Sequence, residues 1–375
     1  MEFSPIKTEG IVVEKPGSGF QRMPVVLDNM RPDEVLVEIK YSGICHTDIH
    51  ASRGGYSALR YPTVLGHEGA GIIRAVGSAV DSSLTVGQSV ILSYNHCGGC
   101  RNCHAGHPAC CANFETLNIS AKRLDQTTPA KLPDGREIDT QFFGQSSFLR
   151  YSIVSQYSVV LCPCPDDLAV YAALGCGFQT GAGTIMNALK PSVDDPLVII
   201  GAGTVGIAAV MAAKVLGLRQ VIAVDILDDK LALARELGAT HTINSRNVKD
   251  LAQEIHDLTD GGARFAVECT GVSAVLETLL DCVCSGGTAV VVGSPNPDFV
   301  LHLDPEKMLH ESKTLRGVCQ GDSIAKKFIP EMIQLHRSGR FPLEKLCAFY
   351  SINDFGQAIS DVSAGKIVKP ILRWE

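Results

Sequence analysis

One stretch of this sequence restricts the fold more than any other: an apolar strand, a glycine-rich turn and a helix follow one another without a break. Residues 197–200 are Leu-Val-Ile-Ile, and Gly201-Ala-Gly-Thr-Val-Gly follows them directly. The residues after this turn keep a helical spacing of apolar side chains to about Leu216. A strand that leads through such a turn into a helix begins a βαβ unit, so the sequence predicts a parallel sheet.

The alternation of strand and helix continues beyond this unit. We predict further strands at 221–224, 263–268 and 288–292, the last closing the series, and helices at 205–216, 228–237 and 272–280. Residues 197–218 are apolar enough to imitate a membrane span, but their glycine pattern and Lys214 favour strand, turn and helix. The pattern predicts a doubly wound parallel sheet with helices on both faces.

The first part of the chain has a different pattern. Short β-branched runs, separated mostly by Gly, Asn, Asp or Pro, occur at 10–14, 35–39, 71–76 and 89–92. This spacing predicts an antiparallel, barrel-like β domain. The periodicity disappears between about 112 and 143, which predicts a long loop with a functional or interface role.

The last part of the chain, from about residue 322, carries two helical patterns and a strand at 370–373. We expect this strand to return to the first domain. The predicted organisation is therefore α/β with two domains, one of residues 1–178 and 320–375 and the other of residues 179–319.

The glycine turn has the context that a dinucleotide-binding motif requires. Gly201 permits the tight turn, Gly203 lets a pyrophosphate approach the backbone, and Gly206 lets helix and strand pack closely. Asp225 ends the next strand about 20 residues later, where a carboxylate binds the adenosine ribose and repels a 2′-phosphate. We therefore predict NAD rather than NADP. Lys230 is either a second ribose contact or an exposed lysine with no role, and the whole motif could be a turn without a ligand.

Charge and composition narrow the class of partner. The 375 residues are 45% hydrophobic and 19% charged, with a net charge of -7 and no cluster of Lys or Arg. This balance excludes an electrostatic footprint for nucleic acid or an anionic membrane and favours a small-molecule partner. The N-terminus has no basic stretch followed by an apolar run, so we expect a cytoplasmic protein.

Fourteen cysteines in a chain without an export signal argue against a disulfide framework, because cytosolic thiols are kept reduced. Four of them cluster in one segment: Cys97, Cys100, Cys103 and Cys111. Four soft ligands with short spacings predict a closed, tetrahedral structural zinc site. An iron–sulfur cluster is the nearest alternative, although the last gap is long and no proline follows. Cys110 is an alternative fourth ligand.

A second group of metal-binding residue types is dispersed along the chain. Cys45, His67 and Cys176 each lie in a glycine-containing segment. Spacing alone cannot establish that three residues so far apart meet at one metal, and isolated Cys or His residues are usually packing residues.

Five segments together resemble the medium-chain, zinc-dependent alcohol dehydrogenases. They are Gly43-Ile-Cys-His-Thr-Asp, Gly66-His-Glu-Gly-Ala-Gly, the four-cysteine segment, Gly175-Cys-Gly-Phe-Gln-Thr-Gly and the glycine turn at 201–206. The resemblance runs from about residue 10 to the C-terminus and implies a GroES-like catalytic domain and a Rossmann domain. Within the family, residues 317–323, 328–330 and 339–342 are most similar to the aryl (benzyl) alcohol dehydrogenases.

This resemblance implies that Cys45, His67 and Cys176 bind a catalytic zinc, with a fourth position open for water or the alcohol oxygen. Three protein ligands and one open position suit a Lewis acid that promotes deprotonation of an alcohol. The family also implies that Thr47 takes the substrate hydroxyl proton and passes it towards His50, although His50 could be a plain surface histidine.

Other implied roles concern the metal surroundings and the cofactor. Asp48 and Glu68 are similar to residues that orient the metal ligands. Thr180, Thr204 and Val205 match cofactor-binding positions of the family. His46 stands where several relatives have an arginine, which implies weaker and pH-dependent phosphate binding. Lys369 matches a phosphate-binding basic residue, with an exposed lysine as the alternative.

The resemblance also implies the substrate and the assembly. At Ser93 many relatives have a bulky aromatic residue, so a wider pocket and an aromatic, allylic or otherwise bulky primary alcohol or aldehyde are expected. Tyr56, Tyr94 and Ser294 are further candidates for this pocket. Members of the family assemble through the nucleotide-binding domain, which implies a homodimer or homotetramer.

Two alternative functions stay open at this point. One is an isomerase or lyase-type enzyme that reduces and reoxidises a retained NAD within one cycle. The other is a non-enzymatic relative that keeps the fold for binding or structure, which the presence of every candidate zinc ligand disfavours.

Overall fold

The computed structural model describes residues 4–375. The chain divides into two units, one of residues 4–176 with Ile324–Glu375 and the other of Gly177–Ser323. Among residues 4–375 no helix is long and apolar enough to cross a membrane. Residues 197–218, which imitate a span in the sequence, form a strand and a helix instead.

The part of the first unit that ends at Cys176 is mostly β-structure. Its strands are β1 (Ile6–Val13), β2 (Gln21–Leu27), β3 (Glu34–Gly43), β4 (Thr63–Val64), β5 (Gly69–Val76), β6 (Ser89–Leu92), β7 (Ala130–Lys131), β8 (Tyr151–Ser155) and β9 (Val159–Leu161). Its helices are α1 (His46–Ser52), α2 (Arg101–His104) and α3 (Leu168–Tyr171).

The second unit alternates strands and helices as the sequence predicts. Its strands are β10 (Leu197–Ile200), β11 (Val221–Asp225), β12 (His241–Asn244), β13 (Ala263–Glu268), β14 (Val283–Val291) and β15 (Thr314–Gly317). Its helices are α4 (Gly177–Gly183), α5 (Thr204–Leu216), α6 (Asp228–Leu237), α7 (Leu251–Thr259), α8 (Ser273–Thr278) and α9 (Pro305–Glu311). The elements that follow, α10 (Ala325–Arg337), β16 (Cys347–Ser351), α11 (Phe355–Ser363) and β17 (Lys369–Arg373), belong to the first unit.

The second unit holds one six-stranded parallel sheet with the order β12-β11-β10-β13-β14-β15. Numbered within the unit this order is 3-2-1-4-5-6, the order of the Rossmann fold. The predicted parallel sheet is therefore confirmed. The prediction that residues 288–292 close the series is wrong, because β15 pairs with β14 at the sheet edge. Edge strands bury little apolar surface, so β12 and β15 give only a weak sequence signal.

The first unit holds a four-stranded sheet (β4-β1-β2-β7) and a seven-stranded sheet in which β16, β17, β3, β5, β6 and β9 are consecutive and β8 pairs with β3. The pairing is antiparallel except between β16 and β17. The antiparallel β fold is therefore confirmed. The predicted return of the last strand is also confirmed, since Ile371 of β17 pairs with Gly43 of β3.

The long loop at 112–143 is less irregular than predicted. It contains a helical turn at Glu115–Ile119 and the short strand β7. A buried ion pair fixes the loop to β3, because the Arg123 guanidinium donates to both oxygens of Glu34 at 2.7 and 2.6 Å. The loop ends at Phe142 and Phe143, whose rings are buried in the first unit.

Candidate active site

The site in the first unit begins where β3 ends and α1 starts. Cys45 is the last extended residue before the helix. Its backbone N–H donates to Oδ2 of Asp48, three residues further on, at 2.9 Å. A carboxylate at this position satisfies one of the unpaired amides of a helix start, so the sequence Cys-His-Thr-Asp fixes α1 and the Cys45 thiol together.

Asp48 also orients His67. Its side chain is fully buried, and Oδ1 accepts the Gly66 N–H at 2.9 Å and a bond from His67 Nδ1 at 3.0 Å. Because an ionised carboxylate only accepts, Nδ1 carries the proton and Nε2 has a free lone pair. That Nε2 is buried and has no hydrogen-bond partner among the residues that the structure describes.

The unpartnered Nε2 lies in a cluster of ligand atoms. One atom each from Cys45, His67, Glu68 and Cys176 lies within 4.8 Å of the others. Two thiols and an imidazole are the ligand types of a catalytic zinc. A buried, oriented imidazole whose free nitrogen belongs to such a set fits a metal ion.

Electrostatics in this cluster favour the thiolate of Cys45, the form that binds a metal. The hydrogen bond from the Cys176 thiol lowers the pKa of Cys45 well below its usual range, burial opposes the shift, and His67 reinforces it. Burial would lower the pKa of His67, but Asp48 and Cys45 together raise it. A thiolate at Cys45 is what metal binding requires.

Glu68 and Lys369 form a buried ion pair beside the cluster. The Lys369 ammonium lies 2.8 Å from each oxygen of Glu68 and 3.1 Å from the Ile44 carbonyl. Only 1% of Lys369 is exposed, so the alternative of an exposed lysine is wrong. Gly43 makes room for the pair, because a Cβ on this residue would lie 2.0 Å from Glu68 Oε2. The predicted phosphate contact of Lys369 stays a prediction.

Two residues of the site have no sequence prediction. Gln145 is fully buried and donates to the carbonyl oxygens of His67 and Ser93 at 3.0 and 3.1 Å, while its oxygen accepts the Gly69 N–H. Phe143 stacks on the His67 ring with centroids 4.5 Å apart. The only available signal was a glutamine within the apolar segment Phe-Phe-Gly-Gln.

The residues predicted for proton transfer lie on α1. Thr47 is half-buried, and its hydroxyl oxygen lies 3.5 Å from the Cys45 sulfur. His50 is also half-buried rather than a plain surface residue, and its Nε2 donates to the Gly55 carbonyl at 3.0 Å. The ring of Tyr56 packs edge-on against His50, with centroids 5.0 Å apart. In the neutral imidazole this arrangement leaves Nδ1 as the proton-accepting atom.

The other candidates for the substrate pocket have different surroundings. Ser93 is buried and donates to the Gly175 carbonyl at 2.8 Å. Tyr94 is only 1% exposed, and its ring packs near those of His96 and Phe114. Ser294 lies in the second unit and is exposed.

The four-cysteine segment brings its predicted ligands together. The sulfurs of Cys97, Cys100, Cys103 and Cys111 lie within 4.8 Å of one another, with 3.5 Å between Cys100 and Cys103. Four thiolates around a zinc ion are about 3.8 Å apart, given the usual Zn–S distance. The backbone N–H of Ala112 helps to lower the pKa of Cys100 to about 6. Cys110 is exposed and lies outside the group, so it is not the fourth ligand.

The glycine turn of the second unit connects β10 to α5. Gly201 has a φ of +100°, which favours glycine, and a Cβ on Gly206 would lie 1.7 Å from the Gly201 carbonyl oxygen. A Cβ on Gly203 would meet nothing within 4 Å in the described chain. The turn therefore has open space at Gly203, next to the first amides of α5 from Thr204 and Val205, where a pyrophosphate binds in this fold.

Asp225 ends β11 beside this turn. Its Oδ2 accepts the Ala202 N–H at 2.7 Å, and its Oδ1 accepts the N–H groups of Ile226 and Leu227. The carboxylate therefore fixes the turn and keeps lone pairs for a ribose. Lys230 is half-buried on α6.

The remaining cofactor candidates lie apart from this turn in sequence. Thr180 is buried in α4 of the second unit, and its carbonyl accepts the Thr184 hydroxyl at 2.7 Å. His46 is exposed at the start of α1 in the first unit.

Comparisons with known proteins agree with both units. Residues 31–165 match the family "Alcohol dehydrogenase GroES-like domain", and residues 204–337 match the family "Zinc-binding dehydrogenase". The chain is 36% identical to geraniol dehydrogenase of Castellaniella defragrans over 370 residues, which cover 98% of each protein.

Two crystal structures extend this similarity. One, from Burkholderia ambifaria, is described as an alcohol dehydrogenase zinc-binding domain protein and shares 40% identity, with 99% of each chain covered and a TM-score of 0.94. The other is benzyl alcohol dehydrogenase of Acinetobacter calcoaceticus, with 38% identity, coverage of 99% of this chain and all of that one, and a TM-score of 0.93.

Proposed function

Because the chain belongs to the zinc-dependent medium-chain alcohol dehydrogenases, we propose that it transfers a hydride between NAD and a primary alcohol or aldehyde. The observation that carries this proposal is the buried, unpartnered Nε2 of His67 among the ligand atoms of Cys45 and Cys176 in the described structure. When bound, zinc would supply a Lewis acid for the alcohol oxygen and NAD would supply the hydride acceptor.

The residues of the chain perform the remaining tasks. Cys45, His67 and Cys176 hold the catalytic metal, and Asp48 keeps His67 in the tautomer that binds it. Thr47 accepts the hydroxyl proton of the alcohol in a hydrogen bond, and His50 receives a proton at Nδ1. The four-cysteine segment holds a second, structural zinc.

The cofactor site lies in the second unit, within the predicted domain of residues 179–319. The turn at Gly201–Gly206 and the helix start after it receive the pyrophosphate, and Asp225 binds the adenosine ribose. A carboxylate at this position repels the 2′-phosphate of NADP, so NAD is the cofactor.

The substrate is an aromatic, allylic or otherwise bulky primary alcohol. The relatives named for geraniol and benzyl alcohol support this class. The small side chain of Ser93 supports it further, because many relatives have a bulky aromatic residue at this position.

A substrate panel tests the proposal. Benzyl, allylic and linear aliphatic alcohols are supplied with NAD, and NADH absorbance and aldehyde are measured together. We expect one NADH per aldehyde with the aromatic and allylic members, whereas an isomerase or lyase-type enzyme would turn over with catalytic NAD. No turnover on the whole panel would reject the proposal.

Two cysteine variants, one at a ligand position and one at a control position, test the assignment of the metal ligands. Cys45→Ala removes a ligand and is expected to abolish turnover. Cys284→Ala removes a half-buried thiol outside both ligand groups and is expected to keep it. Equal activity of the two variants would contradict the assignment.

Assembly and location follow from the same reasoning. The edge strand β15 is largely exposed, and Val300, Leu303 and Leu309 nearby in sequence are 68%, 43% and 73% exposed. An open strand edge with exposed apolar residues supports a homodimer or homotetramer formed through the second unit. Six thiolate ligands require reduced cysteines, which supports a cytoplasmic location. Light scattering of the native protein and of Leu309→Glu tests the assembly, and an unchanged mass would contradict this interface.

A further inference from the structure

A buried carboxylate that the proposed chemistry does not use ends strand β13. Glu268 is fully buried, and its Oε1 accepts the N–H and hydroxyl of Thr270 and the Gly271 N–H, the last at 2.9 Å. Its Oε2 has no partner among residues 4–375. Burial raises the pKa of this carboxyl group. A carboxyl group without an ion pair is costly to bury, so we expect the hydrogen bonds that it makes to have a structural purpose.

The first consequence of these bonds concerns the glycine turn. Glu268 accepts the N–H and the hydroxyl of Thr270, which fixes the direction of the threonine methyl group. That methyl lies against Gly201, since a Cβ on Gly201 would be 2.6 Å from Thr270 Cγ2. The position of the glycine turn is therefore linked to Glu268 through one side chain.

The second consequence concerns the loop that follows β14. The backbone N–H groups of Val292 and Gly293 donate to the Glu268 carbonyl at 2.9 and 3.0 Å. A Cβ on Gly293 would lie 2.2 Å from the Gly271 nitrogen and 2.7 Å from Glu268 Oε2, and a Cβ on Gly271 would lie 2.3 Å from the Ser294 carbonyl oxygen. The turns at 269–271 and 293–294 therefore pack on each other beside Glu268, with no room for a Cβ at Gly271 or Gly293.

These turns lie at the carboxyl ends of β13 and β14, in one half of the Rossmann sheet. In this fold each half receives one nucleotide of the dinucleotide. Asp225 assigns the adenosine to the half formed by β10, β11 and β12, so the half formed by β13, β14 and β15 receives the nicotinamide nucleotide.

We propose that Glu268 is a positioning residue that fixes the turns at 269–271 and 293–294 in the shape that receives the nicotinamide half of NAD. This inference rests on the proposed function. It makes a selective prediction. ADP binds the adenosine half and the glycine turn, which Glu268 reaches through the Thr270 methyl group, whereas NADH also occupies the half next to the turns that Glu268 bonds directly.

The test compares the binding of NADH and ADP by calorimetry to the native protein and its variants. Glu268→Ala is expected to raise the Kd of NADH about tenfold, the effect of about one lost hydrogen-bond acceptor, and to leave the Kd of ADP within about twofold. Glu268→Gln keeps an oxygen for the three donors and is expected to recover most of the NADH affinity. Glu254→Ala removes an exposed carboxylate of the same unit and is expected to change neither Kd.

Each other result overturns a defined part of the reasoning. If Glu268→Ala weakens the binding of NADH and of ADP equally and lowers the melting temperature, Glu268 serves general stability and the inference is wrong. If Glu268→Ala does not fold, Glu268→Asp takes its place, and an unchanged ratio of the two Kd values then refutes the inference. If the native protein binds no NADH, the proposed function itself fails.

Discussion

Replacing Asp48 with asparagine tests the orientation of His67 directly. The two oxygens of Asp48 accept three N–H groups, those of Cys45, Gly66 and His67 Nδ1. An amide offers one oxygen, so in one orientation its NH₂ faces the Cys45 N–H. In the other it faces the Gly66 N–H and Nδ1, and His67 then keeps a hydrogen bond only if its proton moves to Nε2, so that Nδ1 accepts from the amide.

The size of the expected effect on zinc binding follows from these contacts. A buried N–H without an acceptor costs about 1–3 kcal/mol. The proton on Nε2 would also block the lone pair that binds the metal. We therefore expect Asp48→Asn to weaken zinc binding at the Cys45–His67–Cys176 site by about 10–100-fold, as for other residues that orient a metal ligand.

The assay is competition with a chromophoric chelator that follows the release of two zinc ions. In Asp48→Asn one ion is expected to leave at lower chelator concentration, while the ion of the four-cysteine segment leaves as in the native protein. Asp139→Asn is the matched control, because Asp139 is a buried carboxylate of the same unit outside both ligand groups. Native affinity at both sites in Asp48→Asn would refute the reasoning.

Three further predictions use single contacts. Gly206→Ala forces a Cβ against a carbonyl oxygen and should lower both the melting temperature and the NADH affinity. Gly203→Ala should keep the melting temperature and weaken NADH binding about tenfold. Equal melting temperatures of the two variants would contradict this prediction. Gly43→Ala should displace Glu68 and destabilise the protein by about 1–3 kcal/mol in urea unfolding, and native stability would refute the close packing. Burial raises the pKa of Asp139 to about 6 from an unfolded value near 3.8, so its protonated form stabilises the native state at low pH and this stabilisation is lost as the pH rises through 6. The free energy of unfolding of the native protein should therefore fall by about 1 kcal/mol between pH 5 and 8, relative to that of Asp139→Asn. A difference between the two proteins that does not change with pH would contradict this prediction.

The nucleotide-binding turn could be predicted from the sequence because its requirements are local. Gly201, Gly203 and Gly206 lie within six residues, and strand, turn and helix are consecutive in the chain. Each glycine has its predicted physical reason in the structure, a positive φ at the first, open space at the second and a close backbone approach at the third. Steric requirements of this kind involve residues that are close in sequence, so a local motif is enough to predict them.

The metal site in the first unit could not be derived from spacing. Cys45 directly precedes α1, His67 lies between β4 and β5, and Cys176 directly follows a short helical turn. Their meeting therefore depends on how strands distant in sequence pair. The resemblance to the alcohol dehydrogenases identified these three residues, and the structure shows that their ligand atoms lie close together. Gln145 carries no local pattern, because it bonds backbone groups of distant segments. Glu268 bonds its own turn, and its role depends on how that turn packs against Gly201 and Gly293, which are distant in sequence.

The Lys369 ammonium shows why a residue type at a family position does not by itself define a role. It contacts both oxygens of Glu68 and the Ile44 carbonyl, so the buried carboxylate already uses this cation as its partner. Moving the ammonium to a phosphate would leave Glu68 buried without its cation, at a cost of several kcal/mol. The ion pair and the predicted phosphate contact therefore compete for one group, and the depth at which β17 buries Lys369 favours the ion pair.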